Sequence, residues 1–257
     1  MGKKKLSIYL LFHCFTFPLL AQNISFPNPV NRDSTIQWIS PFSRHFFQGS
    51  FQEKTKAVSP VLNGKEYNPF PDIITDGTLF YQSEDWTSGD ITYGGYTYKN
   101  LLLKYDEFQD VLISPYEKYD KILQFLPDFL TGFHIYDKTF VQFLAPNTKD
   151  SLAYGIKSGI YEVLYPGKTK IWVKRSKRID RTLVSGKVEN IPISYNRYFL
   201  FREDHFEEFS SLHSFLNLES GLKSKLERYI SKEKIRYKKN PETSMVLLAR
   251  VIDSYTN

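Results

Sequence analysis

Short aromatic-rich runs separated by turn signals constrain this chain more than any other feature. Tyr96-Thr97-Tyr98-Lys99-Asn100-Leu101-Leu102-Leu103-Lys104-Tyr105 ends at the polar cluster Asp106 to Asp110, which reads as a turn, and Val111 to Ser114 reads as the return strand. Gly132 to Tyr136 and Thr139 to Leu144 flank Asp137-Lys138. Ile160 to Tyr165 and Thr169 to Lys174 flank Pro166-Gly167, while Arg197 to Arg202 and His205 to Phe209 flank Glu203-Asp204. Four such pairs predict eight or more antiparallel strands across residues 73–209. Proline followed by glycine suits a turn with a fixed first φ and a positive second one, so Gly167 is expected in the left-handed region. Strands do not alternate with helical segments, which disfavours a parallel α/β sheet.

After Phe209 the apolar period lengthens. Leu218, Leu222, Leu226, Tyr229 and Ile230 recur at helical spacing, and Met245, Leu248, Ala249 and Ile252 form a second stripe. Asn240-Pro241 is a cap followed by a proline at the first helical position, and Ser210 is a candidate cap for a shorter helix holding Leu212, Phe215 and Leu216. The expected fold is therefore mainly β. It is an antiparallel meander, as an open barrel or curved sandwich, with a C-terminal pair or trio of α-helices at 210–257 docked on it.

The region before the strands differs again. Residues 22–72 carry Pro27, Pro29, Pro41, Pro60, Pro69 and Pro71, a density that argues against long helices and for an extended arm. Residues 1–21 have the order of a secretory signal: Lys3, Lys4 and Lys5, then the apolar Leu6 to Phe17, then Pro18 and the small Ala21. The apolar run is shorter than the roughly 20 residues that span a bilayer, so cleavage is expected to leave no transmembrane span. Cys14, the one cysteine of 257 residues, falls inside that run. Cleavage before Gln22 would remove it, and with it disulfides, thiolate metal sites and cysteine nucleophiles. A cysteine-free exported chain points to the bacterial periplasm or outer-membrane periphery.

The hairpin Ile160-Tyr161-Glu162-Val163-Leu164-Tyr165-Pro166-Gly167-Lys168, the strand Arg197-Tyr198-Phe199-Leu200 and the lysine-rich helices after Leu212 resemble a group of exported β-rich proteins of Bacteroidota-type bacteria, several of which carry Gln after the cleavage site as Gln22 would be. The resemblance spans about residues 80–250. It implies an envelope location and carries no activity.

Motifs for chemistry are weak. Gly155-Ile156-Lys157-Ser158-Gly159 has its serine one place off a nucleophile elbow. The histidines show no zinc-motif spacing, and His205 with Glu207 and Glu208, the best local metal cluster, reads as a solvated hairpin edge. Asp106 to Asp110 lacks the alternating ligands and glycine of a calcium loop. Glu84, Asp85 and Asp90 around Trp86 could serve a glycan cleft, or form a polar loop that Trp86 anchors. Gly94-Gly95 is a bare turn pair rather than part of a phosphate loop. No catalytic residue, cofactor or metal is expected.

Charge is the remaining lead. The formal charge of +6 falls to +3 when Lys3, Lys4 and Lys5 leave with the leader. Residues 168–187 hold eight cations against Asp180 alone, and 219–239 hold eight more against Glu219, Glu227 and Glu233. Nucleic acid is the usual partner for such clusters, but export argues against it. An envelope protein or an anionic lipid or glycan is the expected partner, with Lys174, Arg175, Lys177, Arg178 and Arg181 as its candidate site on a solvated face. The resulting reading is a non-catalytic cell-envelope binding or scaffold protein. A lipid or hydrophobic-ligand carrier is the alternative, since 21 Phe and 18 Tyr could line a barrel, and a glycan hydrolase is third.

Overall fold

The computed structural model describes residues 64–116, 120–145, 155–202 and 205–255. The leader, the arm as far as residue 63 and the Glu203-Asp204 turn lie outside the described residues. The first strands are β1 (Gly64–Glu66), β2 (Thr87–Tyr93), β3 (Tyr96–Asp106), β4 (Val111–Tyr116) and β5 (Lys121–Phe125). β6 (Leu130–Ile135), β7 (Lys138–Phe143), β8 (Gly159–Tyr165) and β9 (Ile171–Lys174) follow. Then come β10 (Lys177–Val184), β11 (Lys187–Ser194), β12 (Arg197–Arg202) and β13 (His205–Phe209), and three helices: α1 (Leu212–Leu218), α2 (Lys223–Lys232) and α3 (Pro241–Tyr255). The fold is mainly β and antiparallel, with its helices at the C-terminus.

The turns explain the pairing. Gly94 and Gly95, at φ 59° and 82°, join β2 to β3, and Ser185 and Gly186, at 51° and 78°, join β10 to β11. Two consecutive left-handed residues match the twist of antiparallel strands. The β6–β7 turn consists of Tyr136 and Asp137, at φ 49° and 57°, one place before the expected pair, because Ile135 pairs with Lys138. The Tyr136 ring lies 6.2 Å from that of Tyr81. Asp106 accepts the amides of Phe108 and Gln109, both at 2.8 Å, and so closes the β3–β4 turn.

Eleven strands form one sheet in the order β1-β5-β4-β3-β2-β6-β7-β8-β9-β12-β13, and β10-β11 is a separate ribbon. Four strand spacings separate β5 from β6, about 19 Å on a flat sheet. Yet only residues 126–129 join them, and Leu130 N donates to Leu126 O at 3.2 Å within that link. Such a tight turn cannot cross 19 Å, so this half of the sheet must roll. Tyr93 at the end of β2 meets the returning chain: its hydroxyl accepts from Leu126 N at 3.3 Å, and its ring lies 5.2 Å from Phe125. The roll encloses Ile91, Leu103, Tyr105, Leu112, Phe125, Phe133, Phe140 and Ile160. Phe133 and Phe140, paired across β6 and β7, stack at 4.7 Å.

The other half of the sheet takes the helices. Ile171, Leu200 and Phe209 form a second core with Phe215, Leu216, Leu226, Met245, Leu248, Ala249 and Ile252. Both predicted stripes thus join this core, with α1 and α3 packed on the sheet and α2 on α1. Pro241 opens α3 as expected, whereas α1 is capped by Ser211 rather than Ser210, in a capping box with Ser214. Asp253 of α3 holds the β8–β9 link, accepting from Tyr165 Oη at 2.9 Å, Lys168 N at 2.9 Å and Thr169 N at 2.8 Å.

That link corrects one expectation. Gly167 is not among the residues of positive φ. Glycine is needed there for space, since a Cβ would collide with Asp253 Oδ2 and approach Tyr165 Cε1 to 2.5 Å. Gly167→Ala is expected to cost about 1–3 kcal/mol by overpacking. The loss should shrink in an Asp253→Ala background, as a double-mutant cycle in urea would show; an additive result would exclude the collision.

Candidate binding surface

The cluster at 174–181 does not form one solvated face. Lys174 closes β9, Arg175 and Ser176 link it to β10, and Lys177 opens β10. Lys174 pairs with Asp110, donates to Ile160 O at 3.0 Å and lies 5.1 Å from the Tyr161 ring centre. Lys177 Nζ reaches Glu107 at 2.9 Å and the carbonyls of Thr78 and Phe80 at 2.9 and 2.6 Å. The turn from Asp106 to Asp110 is therefore a counter-ion site for the end of β9 and the start of β10. Its Asp106 accepts the Tyr67 hydroxyl at 2.6 Å, and burial raises the carboxyl above its ordinary range despite that bond.

Arg175 is the most enclosed of the five. Its Nε donates to Glu162 Oε2 at 2.6 Å, and its two terminal nitrogens reach Glu242 at 2.7 and 3.1 Å. Tyr81 Oη joins Glu162 at 3.2 Å, and Tyr198 Oη joins Glu242 at 3.0 Å. Glu162 is 1% exposed, between Phe140 of β7 and Val173 of β9, where the two cores meet. Burial opposes the charge on Arg175, but the hydrogen bonds from Glu242 and Glu162 outweigh it and hold the guanidinium charged. Burial likewise opposes ionisation of Glu242, and Arg175 overrides it, keeping the carboxyl below its ordinary range. Burial pushes Tyr81 and Tyr198 up to about 12.

The last two cations lie outside. Arg181 pairs with Asp72 at 2.6 Å with both side chains about half exposed, and Arg178 is exposed. Arg181, Asp72, Ile73, Thr75, Val188 and Asn190 border an open groove of about 530 Å³ between the β10–β11 ribbon and residues 71–75. This groove lies outside the roll.

No family model matches the chain, and no curated protein or solved structure matches it.

Its geometry must therefore speak for the other candidates as well. Ser158 Oγ accepts from Ala145 N at 2.8 Å. His205 and Glu207 share a face, 3.4 Å apart, and among the described residues no group of three or more His, Cys, Asp or Glu is placed to hold a metal. Around Trp86, Asp90 accepts from Asn100 N at 3.0 Å, Asp85 accepts from Ser83 Oγ at 3.1 Å, and Lys104 Nζ covers the indole face at 4.3 Å. A sugar would have to displace that ammonium.

Sequence reasoning passed over Glu162 and Glu242. A single carboxylate inside the apolar run Ile160 to Tyr165 was the available signal, because a buried charge requires a buried partner. The second basic segment is placed differently. Lys225, Arg228, Lys232, Lys234, Arg236, Lys238 and Lys239 are exposed, and Lys223 is half-buried.

Two outcomes follow. Arg175→Ala leaves Glu162 and Glu242 without their cation and should cost about 3–5 kcal/mol in urea unfolding, while exposed Arg178→Ala should stay within about 0.5 kcal/mol. Equal effects would refute the clamp. Because the folded-state pKa of Glu242 is depressed, its contribution is present above about 4.5, the ordinary value, and is lost as pH falls through the folded value. Glu242→Gln should therefore lose less stability than wild type on acidification below that point; parallel pH profiles would contradict the assignment.

Proposed function

We propose that this is an exported, non-catalytic cell-envelope protein that acts by binding or scaffolding. The observation that carries this reading is how the interior is used. The roll is filled by aromatic and aliphatic side chains, and the buried carboxylates Glu107 and Glu162 and the half-buried Asp110 and Glu242 are each held by a cation. What remains for partners is the outer surface: the basic α2 region and the ribbon groove. The packed interior favours a scaffold over a carrier, whose ligand would need a continuous apolar cavity of several hundred Å³ inside the sheet. Among the described residues no helix is long and apolar enough to cross a membrane. The leader pattern and the resemblance to exported Bacteroidota-type proteins support the envelope location.

Fractionation of native cells followed by terminal sequencing tests the export half of the proposal. The protein is expected in the envelope fraction with its N-terminus at Gln22 or within about two residues of it. An intact Met1 or Gly2 in a soluble cytoplasmic fraction would overturn it. Copurification with mass spectrometry of bound proteins and lipids tests the other half.

A further inference from the structure

The basic surplus that is free to meet a partner lies on α2 and the link to α3. Residues 223–239 hold eight cations against Glu227 and Glu233, a net +6. Among the described residues only one of the eight, Lys232, lies within 4 Å of a carboxylate, that of Glu233 at 3.8 Å. Lys223 donates to Asn217 Oδ1 at 2.9 Å, Arg228 donates to Ser224 O at 3.2 Å, and Lys225 lies over the Tyr255 ring at 5.0 Å. None of these contacts neutralises charge.

The helix sorts its faces. Leu222, Leu226, Tyr229 and Ile230 belong to the helical core. Lys225, Arg228 and Lys232, spaced i, i+3, i+7, fall within about 60° of one another on the helix, with Lys225 at the border of that apolar stripe and Arg228 farthest from it. The chain then turns at Lys234, whose φ is 51°, with Ile235 N donating to Ile230 O at 3.0 Å. Glycine occupies this left-handed position without strain, whereas this chain places a lysine there. Lys234, Arg236, Lys238 and Lys239, all exposed, continue the basic run beyond the helix.

The geometry points to this face, Lys225 to Lys239, as a docking surface for an anionic phospholipid bilayer. It names the partner class of the envelope-binding reading above, and rests on that reading for the membrane it meets. Charge complementarity carries it: each Lys or Arg near an anionic surface strengthens adsorption several-fold, and cations on one exposed face act together. The aliphatic and aromatic side chains of α2 are committed to the core, so adsorption is electrostatic and salt-sensitive.

The test is flotation of the protein, isolated from its native cells, with vesicles of phosphatidylglycerol and phosphatidylcholine or of phosphatidylcholine alone. Binding is expected only to the anionic vesicles at 50 mM salt, with loss at 1 M salt and persistence in 10 mM inorganic phosphate at constant ionic strength. The variant Lys225→Glu/Arg228→Glu/Lys232→Glu should bind at least 100-fold more weakly. A control of equal charge change on exposed cations away from both surfaces, Lys65→Glu/Lys99→Glu/Lys157→Glu, should retain more than half of the wild-type binding. Lys234→Gly should raise Tm while lowering binding, a pairing that loss of structure cannot produce. Failure of wild type to bind anionic vesicles, release by phosphate, or equal losses in the two triple variants would each overturn the surface. Cell fractionation reports separately on export, so a cytoplasmic protein that binds vesicles would sink the envelope reading and leave the surface standing.

Discussion

The guanidinium of Arg175, shared between Glu162 of β8 and Glu242 of α3, is the interaction on which the two halves of this protein depend. Glu162 stands in an apolar strand at the junction of the rolled sheet and the helical core, where an uncompensated carboxylate could not remain ionised. Its cation comes from the link between β9 and β10, and the second carboxylate comes from the first turn of α3. Tyr81 adds a hydrogen bond from the rolled side and Tyr198 one from the helical side. A hydrophobic trio of similar volume could be as stable, so the clamp is better understood as fixing position than as adding net stability. It specifies where α3 begins on the sheet.

The roll itself has a different cause. A four-residue link that must join strands four places apart leaves the sheet no flat solution, and the rings of Tyr93, Tyr105, Phe133 and Phe140 fill the space the curl creates. Aromatic side chains suit that space because each buries a large apolar area with few rotamers to fix. Past β7 the strands leave the roll, and their continuing face accepts the helices. One sheet thus serves two cores, with Glu162 between them.

Charge shows why composition alone misassigns surfaces. The segments 168–187 and 219–239 carry eight cations each, yet they meet opposite fates. Lys174, Arg175 and Lys177 turn inward to Asp110, Glu162 and Glu107, while the cations of α2 lie on a helix whose other side is already committed to the core. A binding role resting on the first segment would have to use Arg178 and Arg181 alone.

Four of the hairpins and the helical stripes were legible from local pattern, whereas β1, β2 and β5 were not. Hairpins at 96–114, 132–144, 160–174 and 197–209 follow from runs and turn residues a few positions apart, and the helical stripes follow from a period that is equally local. The β10–β11 hairpin was not read from the sequence, because its strands are polar and most of the ribbon faces solvent. What only the tertiary structure decided is who meets whom. Arg175 finds Glu242 across 67 positions, Asp253 finds Lys168 across 85, and Lys177 finds Glu107 across 70. No periodicity encodes such pairings; they exist because the sheet rolls and the helices return across it. The chain order of apolar and turn residues determined the elements. The closure of the sheet determined which cations became internal counter-ions and which were left facing outward.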